Sequence, residues 1–276
     1  MKKFITSLAL ACILVLVPFI LIHANDTVNV TIDGVQVDFD GQGPVIVDGR
    51  TLVPVRGVFE AIGFEVDWNE DTETVILSRA DFEVIIIIGN NWFTTNGFGA
   101  SGGLDVPAQI IGGRTLLPIR AVLESVGYDV DWDGETATVA VTKAPAGIVH
   151  QFHDAGFSLE LPAAWEGLIG LHEFETLLGQ LVEIYHIPTR EEFNFTPPAG
   201  GTLWTFGRTA GEHFTEENPP IMAGGSAILA QTGGYTYFVN TPSDVQFNPE
   251  PGSVTAAEYR RIDAQLALIL NSFRLL

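Results

Sequence analysis

Two stretches of the chain carry the same order of apolar and polar positions. Residues 45–77 read VIVDGRTLVPVRGVFEAIGFEVDWNEDTETVIL, and residues 109–141 read QIIGGRTLLPIRAVLESVGYDVDWDGETATVAV. In each, apolar residues run into a turn at Gly49-Arg50 or Gly113-Arg114, and a short strand follows at 51–53 or 115–117. Pro54 and Pro118 then stand where a helix begins, because proline lacks the N–H that a first turn leaves unpaired. Val55, Val58, Phe59 and Ile62 fall at i, i+3, i+4 and i+7, as do Ile119, Val122, Leu123 and Val126, which predicts one apolar helix face in each copy. Gly63 and Gly127 suit the residue that ends a helix with positive φ. Alternation follows: Phe64, Val66 and Trp68 in one copy, Tyr128, Val130 and Trp132 in the other. This predicts a half-buried strand with both tryptophans on its core face. A polar turn at 69–73 or 133–137 leads to a second strand at 74–77 or 138–141, so the unit is strand, helix, hairpin.

The two stretches align without a gap at an offset of 64 residues, and 16 of their 33 positions are identical. Such a match implies one supersecondary unit built twice. Between the copies, 82–88 and 92–95 read as a hairpin turning at Gly89-Asn90-Asn91, and 96–103 as a glycine-rich loop. A strand at 28–32 with an Asp33-Gly34 turn precedes the first copy.

Beyond residue 143 the texture changes. Small residues at 144–149 read as a linker. Residues 157–165 alternate and stop at Pro162, and 181–187, 202–206, 228–230 and 235–239 read as further strands. Proline and glycine cluster at 197–201, 219–225 and 249–252, which reads as loops. The end is a helix, with a capping box at Thr255-Ala256-Ala257-Glu258 and one apolar face of Ile262, Leu266, Ile269 and Phe273. The fold class is therefore α+β: a duplicated strand–helix–hairpin module with antiparallel sheets over 25–143, then a separate α+β domain over 150–276 with a C-terminal helix.

Residues 1–24 change the picture of where the protein works. Lys2 and Lys3 precede an apolar run over 4–22, and Ala24 offers a small residue at the end. That order reads as a secretory signal peptide cleaved after Ala24, with a retained membrane anchor as the rival, since the run is long enough to span a bilayer. Cleavage leaves no further membrane span. Cys12, the only cysteine, lies inside the run and reads as an apolar residue. The chain after 24 then has no disulfide, thiolate metal site or cysteine nucleophile. Acids outnumber bases 34 to 13, for a net charge of -21. Phosphate backbones and anionic membranes repel such a surface, which argues against a nucleic-acid partner.

The candidate chemistry is sparse. His150 and His153 have a spacing that can bind a metal, and His172, His186 and His213 lie in the same half, yet further ligands and a supporting shell would be needed; exposed or hydrogen-bonded histidines are the simpler expectation. Asp67-x-Asn69-x-Asp71 and Asp131-x-Asp133-x-Glu135 resemble the start of a calcium loop. The required Gly and Glu are replaced by Thr72 and Ser78, or by Thr136 and Thr142, so local turn bonds are expected instead. Arg56 with Glu60, and Arg120 with Glu124, are spaced as helical ion pairs. Trp92 is less constrained than Trp68 and Trp132. Gly224-Gly225-Ser226 lacks a nucleophile elbow, and nothing in the pattern brings Glu160, Glu173 and Glu175 together. No catalytic residue, cofactor site or metal site is expected.

The pattern formed by Arg50, Pro54, Arg56, Glu60, Gly63 and Trp68, repeated as Arg114, Pro118, Arg120, Glu124, Gly127 and Trp132, resembles the copper amine oxidase N-terminal-like, or stalk, domain over about 28–143. In that family the module is an accessory, non-catalytic α+β unit, frequent in exported bacterial proteins. The C-terminal part, with its Leu161-Pro162-x-x-Trp165 strand end, its Tyr235-x-Tyr237-Phe238 strand and its closing helix, is similar to PsbP-like α+β sandwich domains. The resemblance implies no copper and no amine oxidation. The expectation is an exported, non-catalytic cell-envelope protein. Its stalk-like scaffold would present a C-terminal interaction domain to a cell-wall polymer or another exported protein. The alternative is an enzyme, or a solute- or metal-binding protein, with its site in the C-terminal domain.

Overall fold

The computed structural model describes residues 28–100, 103–177, 179–192, 200–212, 214–215, 225–248, 250 and 252–276, with the side chains of 99 and 100 excepted. Residues 1–24, read above as a signal peptide, lie outside the described residues, as do His213 and Gly224.

The strands β1 (Asn29–Ile32) and β2 (Val35–Gln36) precede the first copy of the repeat. That copy comprises β3 (Val45–Val47), β4 (Arg50–Pro54), α1 (Val55–Ala61), β5 (Glu65–Asn69) and β6 (Thr74–Arg79). A meander follows: β7 (Phe82–Ile87), β8 (Phe93–Thr95) and β9 (Phe98–Ala100). The last of these is a strand inside the stretch whose glycines suggest a loop, and it pairs antiparallel with β8. The second copy is β10 (Gln109–Ile111), β11 (Arg114–Leu117), α2 (Ile119–Glu124), β12 (Tyr128–Asp133) and β13 (Thr138–Lys143). Both copies thus have the same strand–helix–hairpin shape.

The copies are joined through one sheet of order β10-β11-β4-β3. Its centre is the antiparallel pair β4 and β11, where Val53 faces Leu117. These two are counterparts at the 64-residue offset, so a local two-fold axis passes between them. Alternation along the strands splits their side chains: Val53 and Leu117 enter the main core with both helices, while Leu52 and Leu116 enter a small second core on the opposite face. Val55, Val58, Phe59, Ile119, Val122, Leu123 and Val126 are buried, as the helical spacing predicts. Each such side chain contributes about 1.5–3 kcal/mol of hydrophobic stabilisation. Gly63 and Gly127 follow the helices with φ of 86° and 87°, a region that a side chain would strain.

The copies differ in what extends their hairpins. The first continues antiparallel into β7, β8 and β9. The second is extended by β1, which pairs parallel to β13 from Asn29 opposite Thr138 to Ile32 opposite Val141. Among the described residues the sheets are therefore antiparallel apart from this pairing, which returns the start of the described chain to the far copy.

The C-terminal part contains β14 (Ile148–Phe152) and β15 (Phe157–Leu161), then β16 (Ile169–Thr176), β17 (Gly179–His186), α3 (Ile187–Glu192), β18 (Thr202–Ala210), β19 (Ser226–Thr232) and β20 (Tyr235–Asn240). It closes with α4 (Val254–Asp263), α5 (Leu266–Asn271) and β21 (Arg274–Leu275). A five-stranded sheet of order β16-β17-β18-β20-β19 and a three-stranded sheet of order β14-β15-β21 enclose a core of Phe157, Leu159, Trp165, Ile184, Trp204, Phe206 and Val239, against which Tyr259, Ile262, Leu266 and Ile269 pack. β14 begins at Ile148, so the last part of the stretch read as a linker is paired strand. The terminal helix is two segments, and its cap is Ser253, whose hydroxyl accepts from the Ala256 amide at 3.2 Å. Thr255, the cap that the sequence suggests, instead donates to the Glu192 carboxylate of α3.

The two parts interlock. Ala264, between α4 and α5, belongs to the core of the repeats, and Phe98 of β9 packs against the core of the C-terminal part. Asn271 donates to the Asp81 carbonyl at 3.0 Å.

Candidate functional site

The repeat signature converges on two grooves. In one, Ile46 and Arg50 of the first copy meet Pro118, Arg120, Val130 and Trp132 of the second, around a volume of about 620 Å³. In the other, Ile110 and Arg114 of the second copy meet Pro54, Arg56, Val66 and Trp68 of the first, around about 280 Å³. Asp105 lines the larger groove alone, while each residue named above for one groove is the counterpart of one in the other at the 64-residue offset. The local two-fold explains this: the turn between the paired strands of one copy reaches over the helix start and outer strand of its partner.

Trp68 and Trp132 correct the sequence expectation. They are 41% and 44% exposed, where alternation puts them in the core. The reason is length. The strand returns antiparallel along a helix of 7 residues, which spans about 10 Å. Strand residues rise about 3.3 Å each, so Phe64 and Val66 lie under the helix while the indole reaches its first turn and passes beyond it. Phe64 is accordingly buried, and Val66 partly so. Ile46 and Ile110, at 61% and 52%, complete an exposed apolar surface in each groove.

The groove arginines are unequal. Arg50 is held by Asp105 at 2.6 Å and Arg56 by Glu60 at 2.9 Å. Among the described residues neither Arg114 nor Arg120 forms an ion pair within 4 Å; Arg114 donates to the Asp40 carbonyl at 3.2 Å. The expected pair of Arg120 with Glu124 is absent because a distant residue has taken its place. Glu124 is buried, and Arg261 of α4 donates to it at 2.7 Å. Burial pushes the Glu124 carboxyl up, against the lowering effect of Arg261 and Arg120. The helix position that is a surface pair in the first copy has become a docking contact in the second.

Residues 31–141 match the family model of the copper amine oxidase N-terminal domain. No curated protein matches the chain. The matched span covers both copies from β1 to β13, and with it both grooves. At the helix ends of this copper amine oxidase N-terminal-like region lies a residue the sequence pattern did not single out. Arg79 stands 4.4 Å over the Phe64 ring and near Phe82 and Tyr128. It donates to the carbonyls of Ile62 and Val126 and to the Tyr128 hydroxyl. One guanidinium thus ties the C-terminal ends of both helices together.

The acid-rich hairpin turns close on themselves. Asn69 accepts from the Thr72 amide at 3.1 Å. Asp133 accepts from the amides of Glu135 and Thr136 and from the Thr136 hydroxyl, and these bonds hold its carboxyl below the usual range. Among the described residues no three His, Cys, Asp or Glu side chains converge as metal ligands.

In the C-terminal part the histidines are scattered. His150 lies in β14, with exposed His153 just beyond it. His186 is buried, with Nδ1 2.8 Å from the Thr189 hydroxyl and Nε2 3.1 Å from Glu258; desolvation lowers its pKa although Glu258 opposes this. His172 leaves Nδ1 without a hydrogen-bond partner, 3.6 Å from Glu183. Glu160 accepts from the Gly147 amide at 2.6 Å on a different sheet from Glu173 and Glu175, so the three are not brought together. Trp92 is partly exposed beside β8. Ser226 donates to Asn240 at 2.7 Å.

Two buried polar groups here carry no sequence signal, because each depends on partners from other elements. Glu183 of β17 receives Arg190 at 2.6 Å and the Thr202 hydroxyl at 2.6 Å, and the Arg190 guanidinium lies 3.5 Å over Tyr185. Asp263 accepts from the Trp204 indole at 3.0 Å, and burial pushes its carboxyl up to about 6. Asp263 and Tyr259 border a cavity of about 570 Å³ that Phe98 and Phe247 also line.

Proposed function

We propose that this protein is an exported, non-catalytic component of a cell envelope, in which the paired repeats form a stalk-like scaffold that presents the C-terminal domain for interaction with a cell-wall polymer or another exported protein. The observation that carries this reading is the seating of the C-terminal helices on the second repeat, with Arg261 on buried Glu124 and Ala264 in the repeats' core. Such an interlock suits a rigid display platform. Small sheets and helices here serve packing, and buried Glu183, Arg190, His186 and Thr189 bond to protein neighbours. The likeness of residues 31–141 to an N-terminal oxidase domain supports an accessory role. The basic-then-apolar order of residues 1–24 supports export.

The test is fractionation of the full-length chain expressed in a bacterial host. The mature protein is expected outside the cytoplasm, to begin at Asn25, and to sediment with isolated cell walls or to co-purify with an exported protein. Full-length protein retained in the cytoplasm, with residues 1–24 intact, overturns the reading.

A further inference from the structure

We propose that the two grooves between the repeats are duplicated binding sites for an uncharged polysaccharide of repeating pyranose units. This rests on the cell-wall reading above and adds to it a contact on the scaffold itself, apart from the C-terminal domain. Three observations carry it.

The first is the duplication itself. The grooves are lined by counterpart residues at one offset, Trp68 with Trp132 and Arg114 with Arg50. Two copies of one site in one chain suit a ligand that repeats its own chemistry, because a second engagement on the same polymer is intramolecular and strengthens retention.

The second is the exposed apolar surface. Each groove pairs a part-exposed indole with an exposed isoleucine from the other copy. An aromatic face with a polar edge is a platform for the C–H face of a sugar ring, and large apolar groups clustered in a concave surface mark binding sites.

The third is the charge. Around each indole stand two arginines and at least one aspartate, Asp67 in one groove and Asp131 with Asp105 in the other. Arginines donate only and ionised aspartates accept only, which together match hydroxyls that do both. The grooves are close to balanced in charge within a chain of net charge -21. A polyanion is repelled by that surface, whereas a neutral, hydroxyl-rich polymer is not.

The experiment uses the full mature chain with two soluble probes, the β-1,4-linked hexamers of N-acetylglucosamine and of glucose. Cell walls serve as the insoluble partner. Trp68→Ala and Trp132→Ala are exposed-site changes, and circular dichroism checks that they fold. Binding of at least one hexamer is expected, little changed between low and high salt. Each single substitution should weaken retention on the polymer about tenfold or more, in the range that loss of one of two linked sites produces, and the double substitution should abolish it. Failure of the wild type to bind either hexamer overturns the inference, as does a steep salt dependence of its sedimentation with cell walls, which marks a charged wall component such as a peptide. If the double variant still sediments with walls like the wild type, the grooves are not the contact but the wall-binding reading stands. If the wild type does not sediment at all, the inference falls, and the proposed function falls with it only if no exported protein co-purifies either.

Discussion

Asp263 shows how a single residue acquires its chemistry from its neighbours. It closes α4 beneath the Trp204 indole, and its folded pKa of about 6 stands above its ordinary 3.8. The native state therefore holds a proton that the unfolded chain has released between those two values. Stability from this group is present below about pH 3.8 and lost as pH rises through 6, a change of roughly 3 kcal/mol. Denaturant titrations of wild type and Asp263→Asn from pH 4 to pH 7 should show this as a difference that grows against the wild type toward pH 6 and is flat beyond. Parallel curves would mean that the carboxyl titrates normally. Nothing in the local sequence marks Asp263, since Trp204 is 59 positions away. The same is true of Glu183, whose partner Arg190 lies beyond a strand end and whose partner Thr202 is on the next strand. By contrast Asp133 and Asn69 were legible as turn formers, because their bonds reach only two or three residues along the chain.

At the scale of elements, periodicity placed both repeat helices, both hairpins and most C-terminal strands. The apolar spacing of 3.6 and 2 residues is a local property. It failed at Trp68 and Trp132 because alternation gives the side of a strand on which a residue points, not how far the covering helix extends. It failed also at the last helix. There the sequence Ser253-Val254-Thr255 offers two hydroxyls as caps, and the chain uses the first while α3 claims the second. Ser253→Ala should cost about 1 kcal/mol in a denaturant melt, the usual loss of a cap. A negligible effect would show that α4 is held by its packing on the C-terminal core and not by its first turn. The strand β14 was missed in part because Ala-Pro-Ala-Gly ahead of it reads as a linker, and β9 because glycines surround it.

At the scale of the whole molecule, the decisive contact is the one between the second repeat and the C-terminal helices. Arg261 is half exposed while Glu124 is buried, so the two partners are not equivalent. Arg261→Ala leaves a buried carboxylate without its cation and should cost about 2 kcal/mol, whereas Glu124→Gln keeps a hydrogen-bonding group and should cost less. Calorimetry of the full chain should show the Arg261 variant broadening toward two transitions as the parts uncouple. An unchanged single transition would mean that the apolar interlock through Ala264 and Phe98 suffices. The sequence by itself determined the α+β class, the duplication and the position of nearly every repeat element, because each of these is written in the spacing of apolar residues along a short stretch of chain. Only the tertiary structure decided that β1 joins the far repeat in parallel, that Glu124 belongs to Arg261 and not to Arg120, and that the two tryptophans face outward into matching grooves. Those outcomes depend on which distant segments meet and how long each one is, and a local pattern carries no information about either.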